Sequence, residues 1–235
     1  MLKKIKRFLC NPSAYFVYYY NLIMRLLSQM IVGLRYRYRS WKVVDRDVSL
    51  FCHDCTGGAL LHTVNMRFNS PTINMYFPDL HEYCTYLKYI KEYSELPLLE
   101  KVDENLNFPC GVLRHPVHGD VHLCFNHDKT FSDAADKWNK RVQRIYFSKV
   151  YVLLVMKKKD MGLLDKYSSL PYRKVIITFP DVYPEISDYA EKKNISVFSL
   201  KYTGPREIGE FLRPVGFLQY RPIEEFDIIK FFNKG

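Results

Sequence analysis

The chain alternates between continuous apolar runs and one-sided helical stripes of apolar residues. Runs typical of strands that are covered on both faces lie at residues 48–52, 150–156, 175–179 and 195–200. One-sided stripes predict helices near residues 60–64, 80–93, 130–145, 163–167, 184–192 and 223–232. This alternation predicts an α/β fold, specifically a three-layer sandwich with a mainly parallel, Rossmann-like sheet.

Shorter motifs add three local features. Residues 110–113 and 121–125 flank His118-Gly119-Asp120, an arrangement that predicts a β-hairpin turn. Thr130 opens a capping box at the start of the helix over residues 130–145. Residues 72–77 are also strand-like. Because α/β sheets place their sites at the carboxyl ends of strands, residues that directly follow a strand are the first candidates for chemistry.

The first 42 residues differ in charge from the rest of the chain. Every acidic residue lies at or beyond Asp45, so nearly all of the formal charge of +10 arises from this segment. Its apolar residues form one helical stripe: Phe16, Tyr20, Ile23, Leu27, Met30 and Leu34. We therefore predict two parts, a basic amphipathic segment over residues 1–42 and a single α/β domain over residues 43–235.

Three interpretations of the N-terminal segment remain open. A helix lying flat on an anionic membrane explains the basic residues at both ends, Lys3, Lys4, Lys6 and Arg7 before the stripe and Arg35, Arg37, Arg39 and Lys42 after it. A helix that packs on the domain or on a second subunit is the alternative. A membrane-spanning helix is disfavoured because its central Arg25 costs about 2.5–3.5 kcal/mol on insertion scales.

Charge and cysteine content indicate the class and compartment of the protein. A nucleic-acid-binding domain spreads basic residues over its own folded surface, and here they are concentrated in the segment, so we do not expect a nucleic-acid partner. The six cysteines form no regular framework, and no cleavable signal peptide precedes them. We expect reduced thiols in a cytoplasmic protein that is peripheral on the inner face of the cytoplasmic membrane.

The densest polar cluster is Cys52-His53-Asp54-Cys55-Thr56-Gly57-Gly58, followed by His62. Cys55 is expected between a strand and a Gly-Gly turn that leads into a helix. Backbone N–H groups and the helix dipole lower a thiol pKa there and hold an anion. Cys55 is therefore a candidate nucleophile, and a buried, inert cysteine is the alternative.

Three other kinds of site match parts of the sequence: a redox pair, a zinc site and a basic helix face. Cys52 and Cys55 form C-x-x-C, but the first lies within a predicted strand, which disfavours a redox pair. A possible zinc set has spacings that match no standard structural site: Cys110, His115, His118, His122, Cys124 and His127. The basic face of the helix over 130–145 is either solvated or guides a phosphorylated donor; it carries Lys137, Lys140, Arg141 and Arg144. Phosphate-loop, dinucleotide and serine-elbow motifs are absent, and the sequence identifies no cofactor.

Two stretches carry a resemblance to a known family: CTGGALLHTVNMRFNSPTINMYF and HGDVHLCFNHDKTFSDAADKWNKRVQRIYF. They are similar to an uncharacterised bacterial family, a domain of unknown function whose members are called exopolysaccharide or capsular polysaccharide biosynthesis proteins. The positions that match its motifs are Cys55, Gly57, Gly58, His62, Ser70, Pro71, Thr72, Asn74, Asp120, His122, His127, Lys137, Trp138, Arg141, Arg144 and Ile145. The chain departs from the family at Asp54 and Tyr146, where asparagine is usual.

The resemblance implies a role in making a surface polysaccharide. Our first hypothesis is a transferase that moves an acyl group onto a sugar or a lipid-linked sugar. Cys55 is its nucleophile or donor anchor, and His62 or His122 is the general base. Asp120 orients a histidine, and we expect His62 and His122 to meet across one cleft. Backbone N–H groups of Gly57 and Gly58 stabilise the oxyanion. Substrate-binding candidates are Ser70, Thr72, Asn74, His127 and Arg141. The second hypothesis is a non-catalytic adaptor that holds a polysaccharide synthase at the membrane.

Overall fold

The computed structural model describes residues 12–233 of the 235-residue chain. Its helices are α1 (Pro12–Trp41), α2 (Thr56–Thr63), α3 (Leu80–Lys88), α4 (Ile90–Glu95), α5 (Phe131–Val142), α6 (Leu164–Ser168), α7 (Tyr183–Lys192), α8 (Ile208–Phe211) and α9 (Ile228–Asn233). Its strands are β1 (Ser49–Cys52), β2 (Leu99–Lys101), β3 (Cys110–His115), β4 (Gly119–Cys124), β5 (Val150–Val155), β6 (Arg173–Thr178) and β7 (Ser196–Ser199). Two 3₁₀ helices span Lys158–Leu163 and Pro222–Glu225. Lys3, Lys4, Lys6, Arg7 and Cys10 lie outside the described residues.

Strands β1, β5, β6 and β7 form a parallel sheet in that order, which confirms an α/β fold with a mainly parallel sheet. Every residue of β5 is buried, as its continuous apolar run predicts for a central strand covered on both faces. The strand order follows the chain order without a reversal. Doubly wound nucleotide-binding sheets differ on this point, because their order reverses at a switch point.

Each face of the parallel sheet is covered by its own hydrophobic core, because successive side chains of a strand point to opposite faces. Phe51, Val152 and Ile176 face a core that contains Trp138 of α5 and the buried tyrosines of α3. The opposite face contributes a second core, which contains Leu60 and Leu61 of α2 and Phe231 and Phe232 of α9. Helices α2 and α3 therefore belong to opposite sides of the sheet.

Strands β2, β3 and β4 form a separate antiparallel sheet. The predicted β3–β4 hairpin is confirmed, and its turn lies between His115 and Gly119. Gly119 has a φ of 86°, a left-handed conformation that glycine adopts without steric strain. The predicted cap of α5 is also confirmed, because the Thr130 hydroxyl accepts a hydrogen bond from the backbone N–H of Asp133 at 3.1 Å.

Residues 69–77 connect the two sheets, and the prediction of a strand over 72–77 is wrong. The segment runs along the free edge of β1, where the Cys52 N–H donates to Thr72 Oγ1 at 3.3 Å and the Phe77 N–H donates to the His53 carbonyl at 3.0 Å. At its far end Tyr76 exchanges two backbone hydrogen bonds of 2.9 Å with Cys124 of β4. One short segment therefore fixes the end of β1 relative to the end of β4.

Helix α1 is present as expected, and its second half contacts the body of the protein. Arg35 donates to the Leu218 carbonyl at 3.1 Å, and Tyr36 donates to the buried Glu224 at 3.3 Å. The first half exposes its apolar side chains, including Phe16 at 72% and Ile23 at 56%. Within the described residues, no helix is long and apolar enough to cross a membrane.

Two helices are shorter than the sequence predicts. The helix expected over residues 80–93 divides into α3 and α4 at Tyr89, whose φ of −119° and ψ of 38° interrupt the helical path. The closing helix expected over 223–232 divides into a 3₁₀ turn and α9. Periodicity of apolar residues continues through both breaks, so it does not reveal them.

Tyr167 of α6 supplies a test of how the first core is held. Its fully buried hydroxyl lies 2.9 Å from the Val175 carbonyl of β6 and 3.1 Å from the Val152 carbonyl of β5. We expect Tyr167→Phe to lower the free energy of unfolding by about 1–2 kcal/mol, because buried carbonyl groups lose a donor. Urea titration measures this, with the exposed Tyr183→Phe as the control. Equal stability of the two variants contradicts the assignment.

Candidate thiol–imidazole site

Cys55 lies where the sequence places it, between β1 and the first turn of α2. It is half-buried, whereas Cys52, Cys84, Cys110 and Cys124 are buried. Among the cysteines in the described residues, Cys55 is therefore the one that a reagent or substrate reaches most directly.

The side chain next to the Cys55 thiol is His127. The distance from Cys55 Sγ to His127 Nε2 is 3.1 Å, and Asn126 lies beside the same sulfur with its amide nitrogen at 3.8 Å. His127 and Asn126 are exposed in the loop that follows β4. They reach Cys55 because the Tyr76–Cys124 bridge holds the end of β4 against the segment that borders β1. A thiol and an imidazole at this distance can exchange a proton.

The expected lowering of the Cys55 pKa is wrong. Burial and, after it, the nearby charge of Asp54 together raise the pKa of the Cys55 thiol to about 11, although a hydrogen bond from Asn126 acts in the opposite direction. At neutral pH the thiol is therefore protonated, and it donates to His127 Nε2 when the imidazole carries its proton on Nδ1. Activation of this thiol depends on proton transfer to His127, since the helix terminus alone does not supply a thiolate.

Asp54 is the fully buried carboxylate of the site. Its Oδ1 accepts from the Thr56 N–H at 2.8 Å and from the Cys52 thiol at 3.1 Å, and Oδ2 lies 3.4 Å from His53 Nε2. Asp54 thus fixes the start of α2 through a backbone hydrogen bond. Its position next to Cys55 keeps that sulfur in the neutral form.

The two glycines are required by close packing. A Cβ atom added at Gly57 would lie 2.8 Å from the Cys52 Cβ, and one added at Gly58 would lie 1.9 Å from Asn74 Oδ1. A side chain at either position would clash with Cys52 or with Asn74, so both glycines have a packing role. The oxyanion role expected for the N–H groups of Gly57 and Gly58 stays a prediction.

Ser70 and Thr72 are not positioned to bind a substrate, since both are fully buried. Their hydroxyls lie 3.1 Å apart, and the Thr72 hydroxyl accepts a hydrogen bond from the Cys52 N–H at the edge of β1. Asn74 is half-buried with a φ of 59°, a left-handed conformation that asparagine tolerates. Arg141 donates to the Ile73 carbonyl at 2.6 Å. These four residues hold the segment that borders β1.

His62 and His122 do not share a cleft. His62 is exposed on α2, where its ring packs edge-on against Tyr36 of α1 at 5.5 Å. His122 faces α3, where Glu82 accepts from its backbone N–H at 2.7 Å and contacts Nδ1 at 2.9 Å. Because α2 and α3 cover opposite faces of the parallel sheet, the expected pairing of the two histidines is wrong.

The residue that orients His122 is Glu82, which the sequence analysis missed. Asp120, proposed for that role, is exposed and lies 3.9 Å from Arg114 on the neighbouring strand. Glu82 lies on α3, 40 residues before His122 in the sequence. Only the docking of α3 on the antiparallel sheet brings them together, so no local motif reveals the pair.

The residues of the possible zinc set are distributed over four places. His122 pairs with Glu82, His127 with Cys55, and His115 and His118 with Glu92. Cys110 and Cys124 face each other across β3 and β4 with their sulfurs 2.9 Å apart. The Cys52 thiol is bonded to Asp54, so Cys52 and Cys55 also have different partners.

Two groups in the described residues bring three ligating atoms within 4.8 Å of one another, Cys52-His53-Asp54 and Glu92-His115-His118. In the second group His115 Nδ1 accepts from the backbone N–H groups of Val117 and His118. The neutral ring therefore carries its proton on Nε2 and donates to Glu92. These hydrogen bonds explain why Glu92, His115 and His118 lie close together: they hold the turn between β3 and β4.

Two cavities border the loop that precedes α3. The first, about 360 Å³, is lined by His53 and Asp54 after β1 and by Lys157 after β5. It therefore occupies the carboxyl edge of the parallel sheet, the usual position of ligand sites in such folds. The second, about 230 Å³, is lined by Glu82, His122 and Cys124. Pro78 and Asp79 line both cavities.

Residues 28–233 match a protein family described as a domain of unknown function, DUF1919. The chain belongs to the DUF1919 family. A relative from Haemophilus influenzae (strain Rd), called an uncharacterized protein, is 24% identical over 197 residues, covering 82% of this chain and 87% of the relative. The DUF1919 region begins at residue 28, within α1, and includes Arg35 and Tyr36, which contact the body of the protein.

The Cys55–His127 contact predicts a pattern of thiol reactivity. We expect iodoacetamide to label Cys55 ahead of Cys84, Cys110 and Cys124, because these three are buried. The rate rises with pH towards about 11, since the thiolate is the reactive form and burial raises the pKa. His127→Gln slows labelling at pH 7, whereas His62→Gln does not. Peptide mapping by mass spectrometry measures each site, and a rate that is already constant near pH 7 contradicts the raised pKa.

Proposed function

We propose that this protein is an enzyme of bacterial surface polysaccharide biosynthesis, which transfers an acyl group to a sugar or a lipid-linked sugar in the cytoplasm. The observation that carries the proposal is the 3.1 Å contact between Cys55 Sγ and His127 Nε2 at the end of β1. The similarity of the two sequence stretches to polysaccharide biosynthesis proteins supports the pathway.

The proposed reaction has two steps. In the first, the Cys55 thiol attacks the carbonyl carbon of an acyl donor while His127 takes the thiol proton, which it then gives to the leaving group. In the second, His127 takes a proton from a sugar hydroxyl as the hydroxyl oxygen attacks the thioester. The Cys55 sulfur leaves and is reprotonated. Asn126, beside the sulfur, is the proposed donor to the developing oxyanion.

The cavity at the carboxyl edge of the parallel sheet supports a sugar acceptor. The cavity at the carboxyl edge is lined by His53 and Asp54, which immediately precede Cys55, and by Asp79, His81 and Lys157. Polar groups of this kind form hydrogen bonds with sugar hydroxyls. For the fold, we propose a three-layer sandwich that is Rossmann-like in its parallel strands.

A non-catalytic adaptor is the second candidate, and α1 is the feature that favours it. The first half of α1 exposes apolar side chains that the body does not cover, and its charged residues in the described part are basic. We propose that this half lies on the anionic inner face of the cytoplasmic membrane. The adaptor uses only this surface, whereas the enzyme also requires Cys55 and His127.

Glycan analysis separates the enzyme from the adaptor. We expect Cys55→Ser and His127→Gln strains to make a surface polysaccharide that lacks one acyl substituent, as a deletion strain does, because both side chains act in the transfer. Mass spectrometry and NMR of the purified glycan measure the substituent. Cys84→Ser is the matched control, since Cys84 is buried in the first core. Wild-type glycan from the Cys55 and His127 variants, with altered glycan from the deletion, supports the adaptor.

Vesicle flotation tests the membrane surface. We expect the full chain to float with anionic vesicles and to be released by about 0.5 M salt, because the attraction of basic residues is screened. Replacing Phe16, Ile23 and Leu26 by serine should abolish flotation. The control replaces three exposed valines elsewhere, Val102, Val117 and Val215. Equal flotation of both triple variants contradicts a membrane role for α1.

A further inference from the structure

A third cavity, about 420 Å³, lies at the opposite edge of the parallel sheet from Cys55. Arg46 and Asp47 line it just before β1, and Tyr146 lines it just before β5. Tyr146 is tied to the sheet, since its backbone N–H donates to Ser49 Oγ at 2.8 Å. The amino ends of two neighbouring parallel strands therefore form one wall of the cavity.

Three arginines from separate segments converge on this cavity: Arg46, Arg67 and Arg144. Asp47 is the one acidic residue in its lining. Within residues 12–233, none of the three guanidinium groups is paired with a carboxylate. An arginine cluster without acidic partners is the arrangement that proteins use to bind phosphoryl groups, because the planar guanidinium donates two parallel hydrogen bonds.

The hydrogen bonds of these arginines position the cluster. Arg46 donates to the Ser40 carbonyl at 2.6 Å, which ties it to the end of α1. Arg144 donates through Nε to the Lys140 carbonyl at 2.9 Å, so its terminal nitrogens remain available to a ligand. Partial burial and, after it, the positive charge of Arg67 lower the pKa of Arg144. The fold thus holds like charges close together, and a bound anion relieves their repulsion.

We propose that this cavity is a binding site for a pyrophosphate group, held by Arg67 and Arg144 with Arg46 at its rim. The cavity is larger than a single phosphate requires, and the half-exposed ring of Tyr146 offers a flat surface for a sugar attached to the pyrophosphate. Helix α5, of 12 residues, separates the loop of His127 from this cavity by about 18 Å. The site is therefore distinct from the Cys55–His127 pair and stands without the proposed function.

Calorimetry with inorganic pyrophosphate and the full chain tests the site at low salt. We expect Arg67→Gln and Arg144→Gln each to weaken binding about tenfold, because each removes charged hydrogen bonds to the ligand. Arg114→Gln makes the same change of charge on β3 and should bind like the wild type. Equal weakening in all three variants shows a general charge effect and overturns the proposal.

The melting temperature separates a binding role from a structural one. Replacing Arg144 removes a repulsion, so the melting temperature without pyrophosphate should be unchanged or higher, while the rise on adding pyrophosphate is lost. A lower melting temperature without ligand, together with an unchanged rise, makes Arg144 structural and overturns its assigned role.

A second arm distinguishes the source of the pyrophosphate. Neutral phosphatidylcholine vesicles are used with and without a polyprenyl pyrophosphate, and the protein that co-sediments is measured for the wild type and for Arg67→Gln/Arg144→Gln. Binding that requires the lipid pyrophosphate and both arginines supports a membrane-borne ligand. Binding of inorganic pyrophosphate alone supports a soluble one. Failure of both probes to bind the wild type overturns the site.

Discussion

The arrangement of this protein depends on residues 69–77, which lie along the free edge of β1 and bond to β4. Thr72 satisfies a backbone N–H of β1, and Tyr76 pairs with Cys124 of the antiparallel sheet. The segment approaches α2 closely enough that Gly58 has no room for a side chain, because an added Cβ would lie 1.9 Å from Asn74 Oδ1. These contacts bring Cys55, which lies shortly after β1, close to His127 in the loop that follows β4. The thiol–imidazole pair is a consequence of how two sheets are joined.

Much of the fold could be predicted because its signals are local. The buried run of β5, the hairpin turn before Gly119 and the cap at Thr130 each depend on a few neighbouring residues. Residues 72–77 have strand-like composition, but they pack along the edge of β1 without forming a strand. Both side-chain and backbone hydrogen bonds hold them there. Local pattern does not distinguish these two arrangements, because both bury the apolar residues Ile73, Met75 and Phe77.

The position of the candidate site could be predicted, and its pairing could not. Cys55 after a strand and before Gly-Gly is a local feature, but its partner His127 is 72 residues away. The same limit hid Glu82 as the partner of His122. The pKa expectation failed for a related reason. The helix terminus is visible in the sequence, whereas burial and the carboxylate of Asp54, which raise the pKa, follow from packing.

A raised thiol pKa changes what the site requires of its histidine. A cysteine that is already a thiolate reacts without a base and is also exposed to adventitious oxidation. Cys55 is protonated at neutral pH, so the proposed reaction depends on an imidazole that can take the proton. The exposed His127 remains in contact with solvent and can exchange its proton between the two steps of the proposed transfer. The burial that makes Cys55 a weaker nucleophile therefore makes its chemistry conditional on His127, and on the segment that brings the two together.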